Sequence, residues 1–375
     1  MPISTLGEED SQMPARRPTM VWRWLVGSLV VIAVGMLGWH ALRAATADDD
    51  VGPTAVSLSP ADFHVSQPFA APPGGFEMPM DVKSANGHVW IADYKAGRVF
   101  QFTSDGRYEQ TIGRPGSGPG ELKNPESVGL VGDTIWVLNS GNSRIEYFSM
   151  DGRVVGGQRL PPSVWGAEQM VAVGSEFVAT VLFDTLPLVH FARNSNARLS
   201  GRVSATRFGS ELGLRAKKTQ GSAKFIPPSY RLQWDGDQLW VYSTYLPLVA
   251  IYRKLDEPPK LVTYPAPKIK NGRMEVKRDK GIERHIVTGP DPEGSVGLLT
   301  APDQNVYLLT QQKSRDHKQV FYKFAPDGTL LGRAMNPLPT FIGFASSASD
   351  YSYAVSISEK TGAVDMLLLR WGDHQ

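Results

Sequence analysis

A chain of 375 residues with a formal net charge of +2 carries too little excess positive charge to argue for a nucleic-acid partner. It holds no cysteine, which excludes disulfides and thiolate-held metals, and its 37 glycines and 28 prolines suit a fold rich in tight turns. The length accommodates one large all-β domain together with a short membrane segment.

Residues 1–20 read as a polar cytoplasmic tail holding Arg16 and Arg17. Arg23 follows, then an apolar run over 25–39, then Asp48, Asp49 and Asp50. Basic residues ahead of the run and acidic ones behind it orient the N-terminus to the cytoplasm and the rest to the periplasmic side of the inner membrane. Two readings stay open. As a single-pass anchor over 21–43, the run is slightly shorter than the roughly 20 apolar residues of a usual span. Trp22, Trp24 and Trp39 then mark its two interfaces. As a secretory signal, Ala45-Thr46-Ala47 offers cleavage after Ala47. The long leader with Glu8, Glu9 and Asp10 is unusual for a signal and favours the anchor. Residues 44–61 are rich in Pro, Ala and Ser and read as a tether. A strand is expected within 63–69, so the β domain is taken as 62–375.

The stretch from Pro79 to Gly106 recurs over Pro125 to Gly152 at a fixed offset of 46 residues, and later units keep the rhythm in degenerate form. Pro79 recurs as Pro125, Trp90 as Trp136, Asp93 as Asn139, Arg98 as Arg144 and Phe102 as Phe148. The turn Asp105-Gly106 recurs as Asp151-Gly152. A period of this length marks a repeat architecture. In the first unit, strands are expected at 79–84, 88–93, 98–103 and 108–112. Asn86-Gly87 and Asp105-Gly106 join them, since these pairs favour the positive φ of tight hairpins. Unit two copies this over 124–160. Unit three has strands at 170–173, 177–183, 188–193 and 199–206, and unit four at 231–234, 238–244, 248–253 and 261–264. Unit five has 296–300, 306–311, 320–324 and 330–334. Unit six has only 341–345, 351–356 and 364–371.

Each unit is one antiparallel meander that cannot bury both faces by itself. Radial stacking buries them, so the fold expected is a six-bladed β-propeller of four-stranded antiparallel blades. The strand near 63–69 supplies the fourth strand of the last blade and closes the ring, which removes open edges. Second-strand aromatics Trp90, Trp136, Phe177, Trp240, Tyr307 and Tyr353 recur once per blade and are expected to pack between blades.

The stretch Ile112-Gly113-Arg114, Gly116-Ser117-Gly118-Pro119-Gly120-Glu121-Leu122, Pro125, Ile135-Trp136-Val137, Asn139 and Arg144-Ile145-Glu146-Tyr147-Phe148 resembles the NHL-type six-bladed propellers. The resemblance is specific over 76–155 and loose beyond. It implies that Asp93 faces Arg98 and Asn139 faces Arg144. Units three and four depart, with Asp184 and Leu188, and Thr244 and Leu248, at those places. It also implies a docking face formed by the loops after the second and fourth strands.

Two insertions enter that face. The first, 207–230, carries Arg215, Lys217, Lys218 and Lys224. The second, 264–294, carries Lys268, Lys270, Arg273, Lys277 and Arg278. Loops of such length are functional or disordered. Their excess of basic residues suits an acidic partner or anionic headgroups, or is solvated charge and nothing more. Leu186 and Leu246, each followed by Pro-Leu, are expected as exposed apolar tips on the same face, fit for a protein interface or simply rigid turns.

Asp81, Glu126, Glu168 and Arg231 fall nine or ten residues before the marker aromatics, where first strands begin and line the axis. Two readings apply to them. They line a wet channel, and Asp93 and Asn139 pair with their arginines. Alternatively Asp81, Asp93, Glu126 and Asn139 hold a divalent cation such as Ca²⁺, which wants several oxygen ligands, as in the propeller lactonases this fold resembles. Arg231 opposes a cation there. No cofactor is otherwise expected. The histidines fall on separate elements, and neither a Gly-x-Ser-x-Gly nor a Ser/His/Asp set is present, so no catalytic residue is assigned. The expected function is a membrane-held, extracytoplasmic binding or scaffold module for a protein partner, an accessory subunit of a membrane complex. A metal-dependent lactonase-like hydrolase or a lyase is the alternative, and a small-ligand or glycan sensor the third reading.

Overall fold

The computed structural model describes residues 63–181, 186–193, 204–212, 229–244, 246–265, 273–279, 282–288, 295–313, 318–336, 341–347, 351–357 and 364–372. The expected tail, anchor and tether over 1–61 lie outside these residues. Among the described residues no helix is long and apolar enough to cross a membrane.

Six four-stranded antiparallel sheets form the blades of a propeller. Blade 1 contains Pro79–Ala85, His88–Asp93, Arg98–Thr103 and Tyr108–Ile112, in that order from the axis outward. Blade 2 contains Pro125–Val131, Thr134–Asn139, Arg144–Ser149 and Val154–Arg159. Blade 3 has Ala167–Val173, Glu176–Val181, Leu188–Ala192 and Ala205–Phe208. Blade 4 has Tyr230–Trp234, Leu239–Ser243, Leu248–Tyr252 and Lys260–Thr263. Blade 5 has Ser295–Thr300, Val306–Lys313, Gln319–Phe324 and Leu330–Met335. Blade 6 has Phe341–Ser347, Tyr351–Ile357 and Val364–Trp371, and its outermost strand is Phe63–Pro68, which pairs with Val364–Trp371. The inner strands of successive blades pack on one another, and that of blade 6 packs on that of blade 1, so the ring is closed.

The turns explain why the strands break where they do. Asn86 and Gly87 have φ of 49° and 77°, a pair that L residues other than Asn and Gly adopt only with strain, and they set the register of the first hairpin. The expected strand bounds of blade 1 agree within one residue; in blade 3 the inner strand starts three residues earlier than expected, at Ala167, and the expected strand residues 182–183 and 199–203 lie outside the described residues.

Apolar packing follows the blade boundaries. Six buried clusters occur among the described residues, and each joins one neighbouring pair of blades. Trp90, Val99, Val128 and Phe148 join blades 1 and 2. Trp136, Tyr147, Met170 and Phe177 join 2 and 3. Val178 and Leu232 belong to the cluster between 3 and 4, Trp240 and Tyr322 to that between 4 and 5. Phe63, Phe321 and Leu369 join 5 and 6, and Tyr353, Leu368, Val82 and Phe100 join 6 and 1. The expected role of the marker aromatics as packing between blades is met, since all six are at most 2% exposed.

One close approach yields a stability prediction. Gly129 lies opposite Trp136 in the blade 2 hairpin, and a Cβ at Gly129 would stand 2.5 Å from the indole Cζ2. The indole is buried and has nowhere to retreat. Gly129→Ala is therefore expected to cost about 1–3 kcal/mol by overpacking, read as a lower urea midpoint with an unchanged slope.

Two small sheets depart from the expected loops. Arg114–Pro115 and Glu121–Leu122 form a short parallel bridge across the glycine-rich turn between blades 1 and 2. Within the insertion after blade 4, Arg273–Asp279 and Ile282–Thr288 pair as an antiparallel hairpin. Its alternation of apolar and polar residues (Met274, Val276, Ile286) is strand-like, but the density of charge makes it read as loop.

Candidate functional site

The candidate residues separate into structural clamps and a polar hub. Asp93 and Asn139 end the second strands of blades 1 and 2 and are fully buried. Asp93 Oδ2 accepts from the Glu77 amide at 2.7 Å, and Oδ1 from the amides of Met78 at 2.9 Å and Ala96 at 3.1 Å. Asn139 Oδ1 accepts from the Lys123 amide at 2.8 Å, and its Nδ2 donates to the Glu121 carbonyl at 2.8 Å. Each side chain thus fixes the segment leading into its blade. The expected facing pairs are pairs of strand register: Asp93 stands opposite Arg98, and Asn139 opposite Arg144. The contacts of Arg144 go elsewhere. It pairs with buried Glu146 and donates to the carbonyls of Ser117 (3.2 Å) and Gly118, holding the glycine-rich turn.

The clamp predicts a graded response. Asp93→Ala leaves three amides without their acceptor and is expected to cost about 2–4 kcal/mol. Asp93→Asn is expected to cost much less, because Asn139 already performs this role in blade 2. Thermal unfolding of both variants checks it.

The hub lies at the inner strands. In five blades the inner strand is interrupted by a one-residue bulge, at Met80, Glu126, Glu168, Val296 and Phe344. Bulges re-aim side chains. Asp81 is therefore not the counterpart of Glu126, as the count from the marker aromatics implied. It is the counterpart of Ser127 and Gln169, and these three do one job. Asp81 Oδ2 accepts from the Val128 amide at 3.2 Å, Ser127 Oγ from the Met170 amide at 3.1 Å, and Gln169 Oε1 from the Leu232 amide at 2.6 Å. Each acceptor latches its blade to the next one.

Glu126 and Glu168, at the bulges, are 5% and 9% exposed. Burial pushes the Glu126 carboxyl well above the ordinary carboxylate range; neighbouring Glu168 adds to the rise, while Arg231 and Ser140 oppose it. Burial also raises Glu168, opposed by Arg231 and by Ser229, whose Oγ donates to Glu168 Oε2 at 2.5 Å. Burial raises Asp81 too, opposed chiefly by Lys83, whose Nζ lies 3.5 Å from Asp81 Oδ1. Tyr242, opposite Arg231 in register, is raised by burial. Blades 1 to 4 thus aim a mixed set of charges at one another across the axis. Among the described residues, no group of three or more His, Asp or Glu is arranged to hold a metal ion. Of the four proposed metal ligands, Asp93 and Asn139 are committed to backbone groups and Asp81 to a latch, which leaves Glu126. Ser229 and Tyr242 were missed from the sequence, having no repeat position that marks them.

On the face of the long loops, Leu186 and Leu246 are half-buried rather than exposed tips. The Leu246 amide donates to Ser243 Oγ at 2.9 Å, and its carbonyl accepts from the Leu248 amide at 2.8 Å. Arg215, Lys217, Lys218, Lys224, Lys268 and Lys270 lie outside the described residues. Arg273, Lys277 and Arg278 fall on the first strand of the inserted hairpin.

Residues 76–257 match the DUF5128 family, described as a 6-bladed beta-propeller. No curated protein matches the chain. Among solved structures, a Bacteroides fragilis protein described as exported aligns with a TM-score of 0.52 at 11% identity, over 85% of this chain and 100% of its own. A DUF4221-family member from Bacteroides vulgatus aligns with a TM-score of 0.51 at 9% identity, over 82% of this chain and 97% of its own. At these identities the likeness is one of fold.

Proposed function

We propose that the protein is an extracytoplasmic, membrane-held six-bladed propeller of NHL type that acts as a scaffold, binding a protein partner through the face of its long loops. The observation that carries this reading is the hairpin Arg273–Asp279/Ile282–Thr288, a folded element inserted between blades 4 and 5 that ring closure does not require. It leaves the ring on the same side as the loops after the second strands, because strand direction alternates through each blade. Its first strand carries Arg273, Lys277 and Arg278, which favours an acidic surface on the partner. The Arg-flanked apolar run over 25–39 supports the location, and the Bacteroides fragilis neighbour described as exported is in keeping with it. The hydrolase reading draws no support from Asp93 and Asn139, whose oxygens are occupied by amides.

Affinity purification of the tagged full chain from detergent-solubilised membranes tests the proposal. A stoichiometric protein partner is expected, and it should be lost when 266–290 is replaced by a short Gly-Ser link while the unfolding midpoint stays unchanged. Recovery of a lone monomer from membranes, or a partner retained without the hairpin, overturns it.

A further inference from the structure

We propose that the partner docks by adding an extended strand to the Ile282–Thr288 edge of the inserted hairpin, an inference that rests on that hairpin being the docking element. The added segment carries an acidic residue facing Arg284, with apolar residues two positions to either side.

The hairpin is a sheet short of strands. Among the described residues, Arg273–Asp279 and Ile282–Thr288 pair with each other and with no third strand. A two-stranded hairpin is marginally stable in water, and a third strand is what makes such a sheet persist. Each strand offers a row of backbone N–H and C=O groups to another chain. The two edges differ in chemistry. Arg273, Glu275, Lys277, Arg278 and Asp279 crowd the first strand with charge, the usual guard against pairing. The second strand holds Ile282, Ile286, Val287 and Thr288, β-branched residues that suit a sheet. A strand added there gains affinity from main-chain hydrogen bonds and selectivity from its alternate side chains.

The register names the residues that select. Lys277 stands directly opposite Arg284, and like charges so placed destabilise a sheet. Alternate residues share a face, so Ile282 and Ile286 flank Arg284 on its face, and Arg273 belongs to that face too. The acids of the same face, Glu275 and Asp279, stand opposite Ile286 and Ile282 rather than Arg284. Arg273, Lys277 and Arg284 thus outnumber them, and the face keeps an excess of positive charge. An acid on the incoming strand beside Arg284 relieves its repulsion with Lys277, and apolar neighbours cover the two isoleucines.

The test uses the full chain and a capped peptide, acetyl-Thr-Val-Thr-Asp-Thr-Val-Thr-amide, whose Val-Asp-Val face matches Ile282, Arg284 and Ile286. Hydrogen exchange is read at single amides as the peptide is titrated. Along an antiparallel edge every second amide points away from the neighbouring strand. The peptide is expected to slow the outward amides of 282–288 while those of 273–279 stay fast. Arg284→Glu sets an acid opposite Lys277, an opposite-charge pair that supports the hairpin itself, so lost binding in this variant is not lost folding. It should bind the peptide at least about tenfold more weakly, and should bind the version with Lys in place of Asp instead. No slowing over 282–288, slowing over 273–279 instead, or equal binding of the Lys peptide by the native chain overturns the proposal. So does protection of 282–288 that rises with protein concentration without peptide, which marks a second copy of this chain on the edge. A partner captured from membranes through the hairpin, with the outward amides of 282–288 still fast in the complex, overturns strand addition and leaves the scaffold role standing. A lone monomer from membranes overturns both.

Discussion

Deleting Phe63–Pro68 is expected to abolish the cooperative unfolding of the whole propeller rather than trim one edge. These residues are the outermost strand of blade 6, paired along Val364–Trp371. Phe63 is fully buried and stacks on Phe321 of blade 5 at 6.0 Å and edge-on against Trp371 at 5.4 Å. Phe69, just beyond, packs on Phe102 of blade 1 at 5.2 Å and Tyr353 of blade 6 at 5.8 Å. One short segment thus touches three blades and covers what would otherwise be an open sheet edge. Phe63→Ala alone should cost about 3–5 kcal/mol, a large share of the roughly 5–15 kcal/mol by which domains are stable. The deletion should give a broad, low-temperature transition with loss of near-ultraviolet dichroism. Removal of 1–62 should leave the transition in place. A deletion chain that unfolds as sharply as the intact one would show that the ring does not depend on this strand.

The second large effect is on pH. Glu126 titrates well above the usual carboxylate range in the folded chain, because burial and the adjacent Glu168 disfavour its charge. Unfolded, it titrates near the ordinary value of 4.5. The folded state therefore holds the proton more tightly. The stability this contributes is complete below about pH 4.5 and is lost as pH rises through the folded value. Glu168 and Asp81 are raised as well and act in the same direction. Glu126→Gln removes the largest contribution. In amine-free phosphate it should be more stable than the native chain by about 1–3 kcal/mol at pH 8 and no more stable at pH 4. Urea midpoints at the two pH values measure this. A native chain whose midpoint rises from pH 4 to 8 as steeply as that of the variant would contradict it.

Much of the architecture was legible because turns announce themselves. Asn86-Gly87 and the Asp-Gly pairs at 105–106 and 151–152 fix strand ends by backbone preference alone, and the 46-residue spacing then carries blade 1 onto blade 2. The same spacing held a clue to the hub. It places Asp81 on Ser127 and Met80 on Glu126, as the bulges confirm, whereas counting back from the marker aromatics put Asp81 beside Glu126. A bulge shifts the count by one residue, and one residue turns a side chain to the other face. Ser229 carries no such signal, since its contact with Glu168 spans 61 residues and exists only once blades 3 and 4 are stacked. The inserted hairpin was hidden for a different reason: its charges are those of a loop, and only the apolar alternation beneath them belongs to a strand.

The pairing of Phe63 with Trp371 sets the timing of biogenesis. The first strand of the ring leaves the ribosome long before its partner exists. At about 5–20 residues per second, it waits on the order of 15–60 s for the last one. During that interval blades 1 to 5 can form, but the circle stays unlatched and one sheet lacks its rim. Locking needs the two ends of the ring in the same compartment, so the circle closes only once Val364–Trp371 has reached Phe63–Pro68 there.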